Sequence, residues 1–178
     1  MTATIIAVVG SKNSGKTTTI TTLTKEFTKR GYTVTAVKHI PESNFTIDHA
    51  GKDTWLFAQA GAKTCISVAS NEIATIEKIN TTSFSLQEIL TRCQDNDLIF
   101  LEGFKPLVSK DTKIPKIVTV KSRHEAMKAQ NSFKPILAFT GPYSTENQKF
   151  QIPYINLWKN YAKIVDLIEQ IILRKHTA

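Results

Sequence analysis

An α/β fold with a mostly parallel sheet is predicted by three features of the sequence. Apolar runs such as Ile5-Ile6-Ala7-Val8-Val9 and Leu98-Ile99-Phe100-Leu101 show no polar alternation, as in strands covered on both faces. Segments with an apolar residue every three or four positions alternate with these runs, as amphipathic helices do. The 178 residues suffice for one domain, residues 1–178, that needs neither disulfides nor a structural metal to fold.

The elements follow in order. Residues 5–9 form the first strand. A glycine-containing loop leads into a helix over about residues 16–30, whose stripe is Ile20, Leu23 and Phe27. Gly31 stops that helix, and residues 33–38 make a second strand, completing a βαβ unit. Residues 41–51 are polar loop. A short helix fits between Gly51 and Gly61. Residues 64–69 and 73–79 read as a hairpin around Ser70-Asn71, which predicts an antiparallel edge. Ser85-Leu86-Gln87-Glu88 matches a capping box and opens a helix to about Arg92. Residues 97–102 are a buried strand with an acid at each end. Residues 106–115 are basic and polar, hence loop. Residues 117–120 and 136–139 are short strands, and Ser122-Arg123-His124-Glu125 caps a brief helix between them. The closing helix, about residues 158–173, carries Tyr161, Ile164, Val165, Ile168, Ile171 and Ile172 toward the core.

Composition narrows the partners. Hydrophobic residues are 41% and charged residues 21%, values of a globular chain, not a disordered one. Lys and Arg number 23 against 15 Asp and Glu, a net charge of +8. That balance attracts nucleotides, phosphate esters, nucleic acid or acidic protein faces without choosing among them. Cys65 and Cys93 lie outside any paired-ligand spacing and read as thiols of a reducing compartment. No apolar run approaches the roughly 18 residues of a membrane span, and no basic leader precedes the first strand. The expectation is a cytoplasmic protein that contacts neither membrane nor nucleic acid, since no nucleic-acid motif accompanies the charge.

Gly10-Ser11-Lys12-Asn13-Ser14-Gly15-Lys16-Thr17 fits the pattern G-x-x-x-x-G-K-[ST] in full. A buried strand enters it and an amphipathic helix leaves it, which its mechanism requires. Gly10 and Gly15 allow backbone angles and approaches that a Cβ would block. Consecutive N–H groups then face one concavity, and the helix N-terminus adds partial positive charge. Lys16 is placed to reach the β- and γ-phosphates, and the Thr17 hydroxyl to ligate Mg²⁺. Lys12, Asn13, Ser14 and Thr18 lie along the phosphate path. The fold class is therefore a P-loop NTPase-like three-layer domain, mostly parallel, with an antiparallel hairpin.

Such a loop needs an acid at the tip of a neighbouring strand. Ligands of parallel sheets sit beyond the carboxyl ends of strands. Glu102 lies at that end of its strand and Asp97 at the other, so Glu102 is the candidate for catalysis and metal. Asp48, in the loop after the second strand, is a further metal candidate, ahead of Glu42 and Asp53. His39 ends the second strand at the same side and could contact phosphate or orient water. His49 adjoins Asp48, while His124 and His176 read as solvated. Lys105, Lys110, Lys113 and Lys116 cluster after Glu102, as a solvated loop or an anion site. No Asn-Lys-x-Asp guanine reader is found. Phe139-Thr140-Gly141-Pro142 offers backbone contacts to a base, which leaves ATP and GTP both open.

The ordered set resembles the MobB family, molybdopterin-guanine dinucleotide biosynthesis protein B. It comprises the loop from Gly10 to Thr18, Arg30-Gly31, Val37-Lys38-His39, Asp48, Gly51-Lys52-Asp53-Thr54 and Ala60-Gly61-Ala62. It continues with Asp97-Leu98-Ile99-Phe100-Leu101-Glu102-Gly103-Phe104-Lys105 and Pro115-Lys116-Ile117. The resemblance covers about residues 4–120. It implies GTP with Mg²⁺, at most slow hydrolysis, a homodimer, and an accessory role beside a molybdopterin guanylyltransferase of the MobA type. It carries Lys16 and Thr17 over as phosphate and metal contacts and Glu102 as the acid, and it makes the lysines after Glu102 a place to look for molybdopterin. Trp55-Leu56-Phe57 stands where the family is expected to place a polar residue, which offers an apolar dimer patch instead. The competing reading is a small-molecule kinase or ATP-dependent ligase. Its arginine lid has little to draw on, since Arg30, Arg92, Arg123 and Arg174 are scattered.

Overall fold

The computed structural model describes residues 3–143 and 151–176. In chain order the strands are β1 (Thr4–Gly10), β2 (Val34–Lys38), β3 (Thr64–Val68), β4 (Ile73–Glu77), β5 (Leu98–Glu102), β6 (Lys116–Thr119) and β7 (Ile136–Thr140). The helices are α1 (Lys16–Lys29), α2 (Asp53–Gln59), α3 (Leu86–Leu90), α4 (Lys105–Val108), α5 (Arg123–Ser132) and α6 (Leu157–His176). Contacts divide the chain into two compact units, Met1–His39 with Leu86–Ala178, and Ile40–Ser85.

The first unit holds a five-stranded sheet in the order β2-β5-β1-β6-β7, every neighbouring pair parallel. The predicted βαβ unit is present, but β5 inserts between its two strands. Thr4 pairs with Leu98 and Val8 with Glu102, while Lys38 flanks Glu102 on the other side. This register sets Glu102 beside the chain as it leaves β1.

Strand alternation sorts the apolar residues into two layers of contact. Ile6, Val8, Leu98, Phe100, Ile117 and Ala138 pack with Ile20, Leu23 and Phe27 of α1 and with Ile164, Val165, Ile168 and Ile172 of α6. Each fully buried Leu, Ile or Phe contributes about 1.5–3 kcal/mol of transfer free energy. Val118 and Val120 alternate with Ile117 and so face the other way. They share a cavity wall with Pro106 of α4 and with Ala129 of α5. Helices on both faces of the sheet make the three layers.

Two segments depart from the sequence reading. Residues 106–115 were expected as loop, yet α4 winds one turn there. Gly103 and Phe104 both adopt left-handed backbone, φ 88° and 52°, which swings the chain into it. Pro106 sits in the first turn, where its missing N–H is no loss. Lys116 belongs to the cluster read as a solvated loop or an anion site, yet it is completely buried. Its Nζ donates to the Asp111 carbonyl and, at 2.7 Å, to the Lys134 carbonyl. Burial pushes this ammonium below the ordinary lysine value. Two carbonyls satisfy a charge that sequence alone assigns to water.

In the second unit, β3 and β4 form the hairpin, closed by the Ala69 N–H donating to the Glu72 carbonyl at 2.8 Å. It builds a separate two-stranded sheet, not an edge of the large one. On one face Cys65 is buried, its Sγ 3.5 Å from the Thr54 carbonyl of α2. On the other, Ile66, Val68 and Ile73 are 61%, 76% and 70% exposed. Among the described residues, no helix is long and apolar enough to cross a membrane.

Candidate functional site

The loop between β1 and α1 is shaped by its neighbours on β6. A Cβ at Gly10 would stand 2.1 Å from Thr119 Oγ1 and 2.4 Å from the Thr119 carbonyl, so only glycine fits. Gly15 enters α1 with φ 95°, a left-handed angle that glycine adopts without strain. Ser14 is fully buried beneath the loop. Its Oγ donates to the Ser11 carbonyl at 2.8 Å and shares a 2.6 Å hydrogen bond with Thr119 Oγ1. Its hydroxyl therefore braces the loop from inside and does not line the phosphate path. Lys12 and Asn13 of the loop, and Thr17 and Thr18 of the first turn of α1, are exposed.

Lys16 folds over the loop, its Nζ donating to the Ser11 carbonyl at 2.8 Å. The Thr17 hydroxyl donates to the Glu102 carboxylate, at 3.3 Å to Oε1 and 3.2 Å to Oε2. Lys38 Nζ stands 3.9 Å from the same carboxylate. The three residues singled out from the sequence thus meet at one end of the sheet. Partial burial pushes Lys16 below the ordinary lysine value; Glu102 opposes this, and Lys105, Lys38 and Lys121 reinforce it. Several ammoniums crowding one carboxylate make a site with room for added negative charge. Asp97, at the far end of β5, accepts from the Thr33 N–H and the Thr33 hydroxyl, both at 2.8 Å, and ties two strands together.

A second set of contacts escaped the sequence reading. Ser11 Oγ donates to Glu125 Oε1 at 3.0 Å, and the Lys121 N–H to Glu125 Oε2 at 2.7 Å. Lys121 Nζ reaches the Lys12 carbonyl at 3.2 Å. Burial pushes the Glu125 carboxyl up, but the hydrogen bonds from the Lys121 N–H and Ser11, with the nearby Lys121 and Lys105 charges, hold it below its ordinary value. The capping box announced Glu125: its N–H bonds Ser122 Oγ at 3.2 Å. Nothing local announced that its carboxylate would clamp the front of the phosphate loop.

The remaining candidates scatter. His39 is exposed at the end of β2, its ring 5.2 Å from that of Phe104. Asp48, His49, Lys52 and Asp53 belong to the second unit. There Asp48 Oδ1 accepts from the His49 N–H and the Thr54 hydroxyl, both at 2.9 Å. Asp48 Oδ2 is buried without a hydrogen-bond partner among the described residues. Arg30 sits at the far end of α1, bonded to Glu26 at 3.0 Å and Glu169 at 2.8 Å. His124 is exposed on α5, and the side chain of His176 lies outside the described residues. Past β7, the Tyr154 hydroxyl donates to the Gly141 carbonyl at 2.7 Å and fixes the turn beside the loop.

A buried strand, a glycine-bounded loop, a helix bearing Lys16 and Thr17, and an acid on the adjacent parallel strand define a P-loop α/β protein. Within that class, a family model described as MobB, molybdopterin guanine dinucleotide synthesis protein B, matches residues 5–141. The chain belongs to the MobB family. A molybdopterin-guanine dinucleotide biosynthesis adapter protein of Haemophilus influenzae is 31% identical over 116 residues, 64% of this chain and 61% of that protein. A Methanocaldococcus jannaschii protein bearing the same name in provisional form is 36% identical over 121 residues. That match takes in 67% of this chain and 48% of the relative, so the chain spans only about half to three-fifths of these two proteins. Bacillus subtilis MobB superposes with a TM-score of 0.74 at 22% identity, covering 94% of this chain and 96% of that one. A crystal structure of molybdopterin-guanine biosynthesis protein B superposes at 0.70 and 24% identity, covering 94% and 98%. These two structures carry the same fold.

Proposed function

We propose that this chain is a GTP-binding accessory protein of molybdopterin guanine dinucleotide biosynthesis, in the cytoplasm. The observation that carries this reading is the meeting of Lys16, Thr17 and Glu102 at the mouth of the loop. Backbone N–H groups and the α1 N-terminus receive phosphate oxygens, and Lys16 adds a full positive charge. A hydroxyl and a carboxylate side by side are hard oxygen donors, the set that suits Mg²⁺ together with substrate phosphates. Thr17 and Glu102 would hold that ion, which would neutralise charge between the phosphates. Lys38, Lys105 and Lys121 supply a further basic rim, which favours a polyphosphate over a neutral ligand.

Hydrolysis is slow at most, because residues 10–17 contain no arginine and Arg30 is engaged at the other end of α1. The adapter names of the two relatives support a partner in the same pathway, a molybdopterin guanylyltransferase of the MobA type. The exposed apolar face of the hairpin supports a homodimer. Molybdopterin is an expected further ligand without an assigned place. Calorimetric titration with GTP, ATP and GDP, each with and without Mg²⁺, tests the reading. GTP binding at least about tenfold tighter than ATP, and dependent on Mg²⁺, is expected. Equal affinities overturn the guanine assignment, and no binding of any nucleotide overturns the whole.

A further inference from the structure

Beyond β7 the large sheet has an unfinished edge. Tyr154 bridges Phe139 in parallel. The Phe139 N–H donates to the Pro153 carbonyl at 2.9 Å, and the Ile155 N–H to the Phe139 carbonyl at 2.8 Å. Parallel pairing of this kind turns the N–H and carbonyl of Tyr154, and the N–H of Asn156, to the other side. None of these three groups has a hydrogen-bond partner among the described residues. Residues 153–156 thus lengthen the sheet by a short extended segment whose outer side offers backbone donors and an acceptor.

A groove of about 500 Å³ runs between this edge and α6. Asn160, Lys163, Leu167 and Gln170 lie three or four apart and form its helical wall. They flank the stripe of Ile164, Val165, Ile168 and Ile172 that α6 turns to the core. Leu167, half-buried against that core, gives the groove an apolar floor. Asn160 and Gln170 bring amides that both donate and accept, as a peptide group does. Lys163 and Asp166 are the one cation and the one anion of the lining, so it is neutral overall. A polyanion finds little to meet here, whereas a polypeptide backbone finds its complement.

We propose that this groove is a docking site for an extended peptide segment of another protein, which joins the sheet edge as an added strand. Its backbone bonds Tyr154 and Asn156, and its side chains alternate between the Leu167 floor and solvent. Asn160 to Gln170 extends about 15 Å along α6, the reach of about four or five extended residues. The site stands on its own edge and helix and does not depend on the nucleotide reading.

A random heptapeptide library displayed on phage, selected on the full chain, supplies the probe. The recovered peptide is then followed by the amide resonances of Tyr154 and Asn156. Saturable shifts and slowed hydrogen exchange at both amides are expected. The same response is expected in Lys16→Ala, where the phosphate loop is disabled. Methylating alternate backbone nitrogens of the peptide, in one register or the other, should abolish binding while its side chains are kept. In Gln170→Ala, an exposed position where alanine suits the helix, affinity should fall about fivefold, as for one lost hydrogen bond. The proposal is overturned if no recovered peptide moves the two amides, if the response vanishes in Lys16→Ala, or if both methylated peptides bind like the parent. It is equally overturned if Gln170→Ala binds as well as the native chain, or if oligothymidylate gives the same shifts. Protection of Tyr154 that grows with protein concentration in the absence of peptide would assign the edge to a second copy and overturn it too.

Discussion

The sheet-bearing unit and the hairpin unit spend their apolar residues differently. In the first, Leu23, Phe27, Phe100 and Ile164 are wholly enclosed, and the strands they cover end in a polar loop held by Thr119, Glu125 and Lys121. In the second, Phe45, Ile47, Leu56, Phe57, Ile66, Val68 and Ile73 all stand exposed. A two-stranded sheet with one short helix cannot enclose this much apolar surface. The difference teaches a division of labour. The large unit uses burial to brace its polar loop, and the small one leaves its apolar side chains uncovered.

Substitutions can break or sharpen this division. Lys16→Ala should have the largest effect, weakening nucleotide binding by about 2–5 kcal/mol, the cost of deleting one partner of a close charge pair. Circular dichroism should report an unchanged fold. Nucleotide affinity equal to the native value in a folded variant would show that the loop is not the binding element. Gly10→Ala comes next, because its methyl would collide with Thr119 and Ser14. Thermal unfolding should show a loss of about 1–3 kcal/mol, as for an overpacked site.

Glu125→Ala removes the acceptor for Ser11 and the Lys121 N–H. A stability loss of about 1 kcal/mol, or a melting point lower by about 2–4 °C, should accompany weaker nucleotide binding. If the melting point falls while affinity stays constant, the clamp does not set the loop. Tyr154 gives a pH signature. Burial, reinforced by Tyr143, pushes its phenol up to about 12. The unfolded chain releases this proton from about pH 10 while the folded chain still retains it, so stability falls as pH rises from about 10 to 12. Tyr154→Phe should flatten that alkaline slope in denaturant titrations, and an unchanged slope would exclude Tyr154 as its source. Ile66→Ser with Val68→Ser, on the exposed hairpin face, should change stability least, by about 0.5 kcal/mol or less. Light scattering should nonetheless show dimers becoming monomers, and a persistent dimer would place the interface elsewhere.

Much of the sheet unit was legible because its signals are local. The run from Ile5 to Val9, the eight-residue loop and the Ile20-Leu23-Phe27 stripe each lie within one strand, one loop or about two turns of helix, and each appears where expected. Glu102 was legible by direction alone, since parallel strands carry ligands at one end. What could not be read involves partners far apart in the chain. Lys116 looks solvated until the carbonyls of Asp111 and Lys134 close on it. Glu125 looks like half of a capping box until Ser11, 114 residues away, meets its other oxygen. The hairpin was seen, but periodicity carries no information on which sheet a strand joins, so its separate sheet was not. The turn of helix at Lys105–Val108 follows from left-handed angles at Gly103 and Phe104, and a phenylalanine gives no warning of such an angle.

The placement of β5 between β1 and β2 also bears on how the protein is born. Thr17 and Glu102 are 85 residues apart, so the hydroxyl–carboxylate pair cannot exist until the whole stretch from the first strand to the fifth has been synthesised and closed upon itself. Non-local closures of this kind are slow to form. A nascent chain released early would display the lysine and the glycine loop yet lack the acid. The site is thus withheld until the central sheet is assembled.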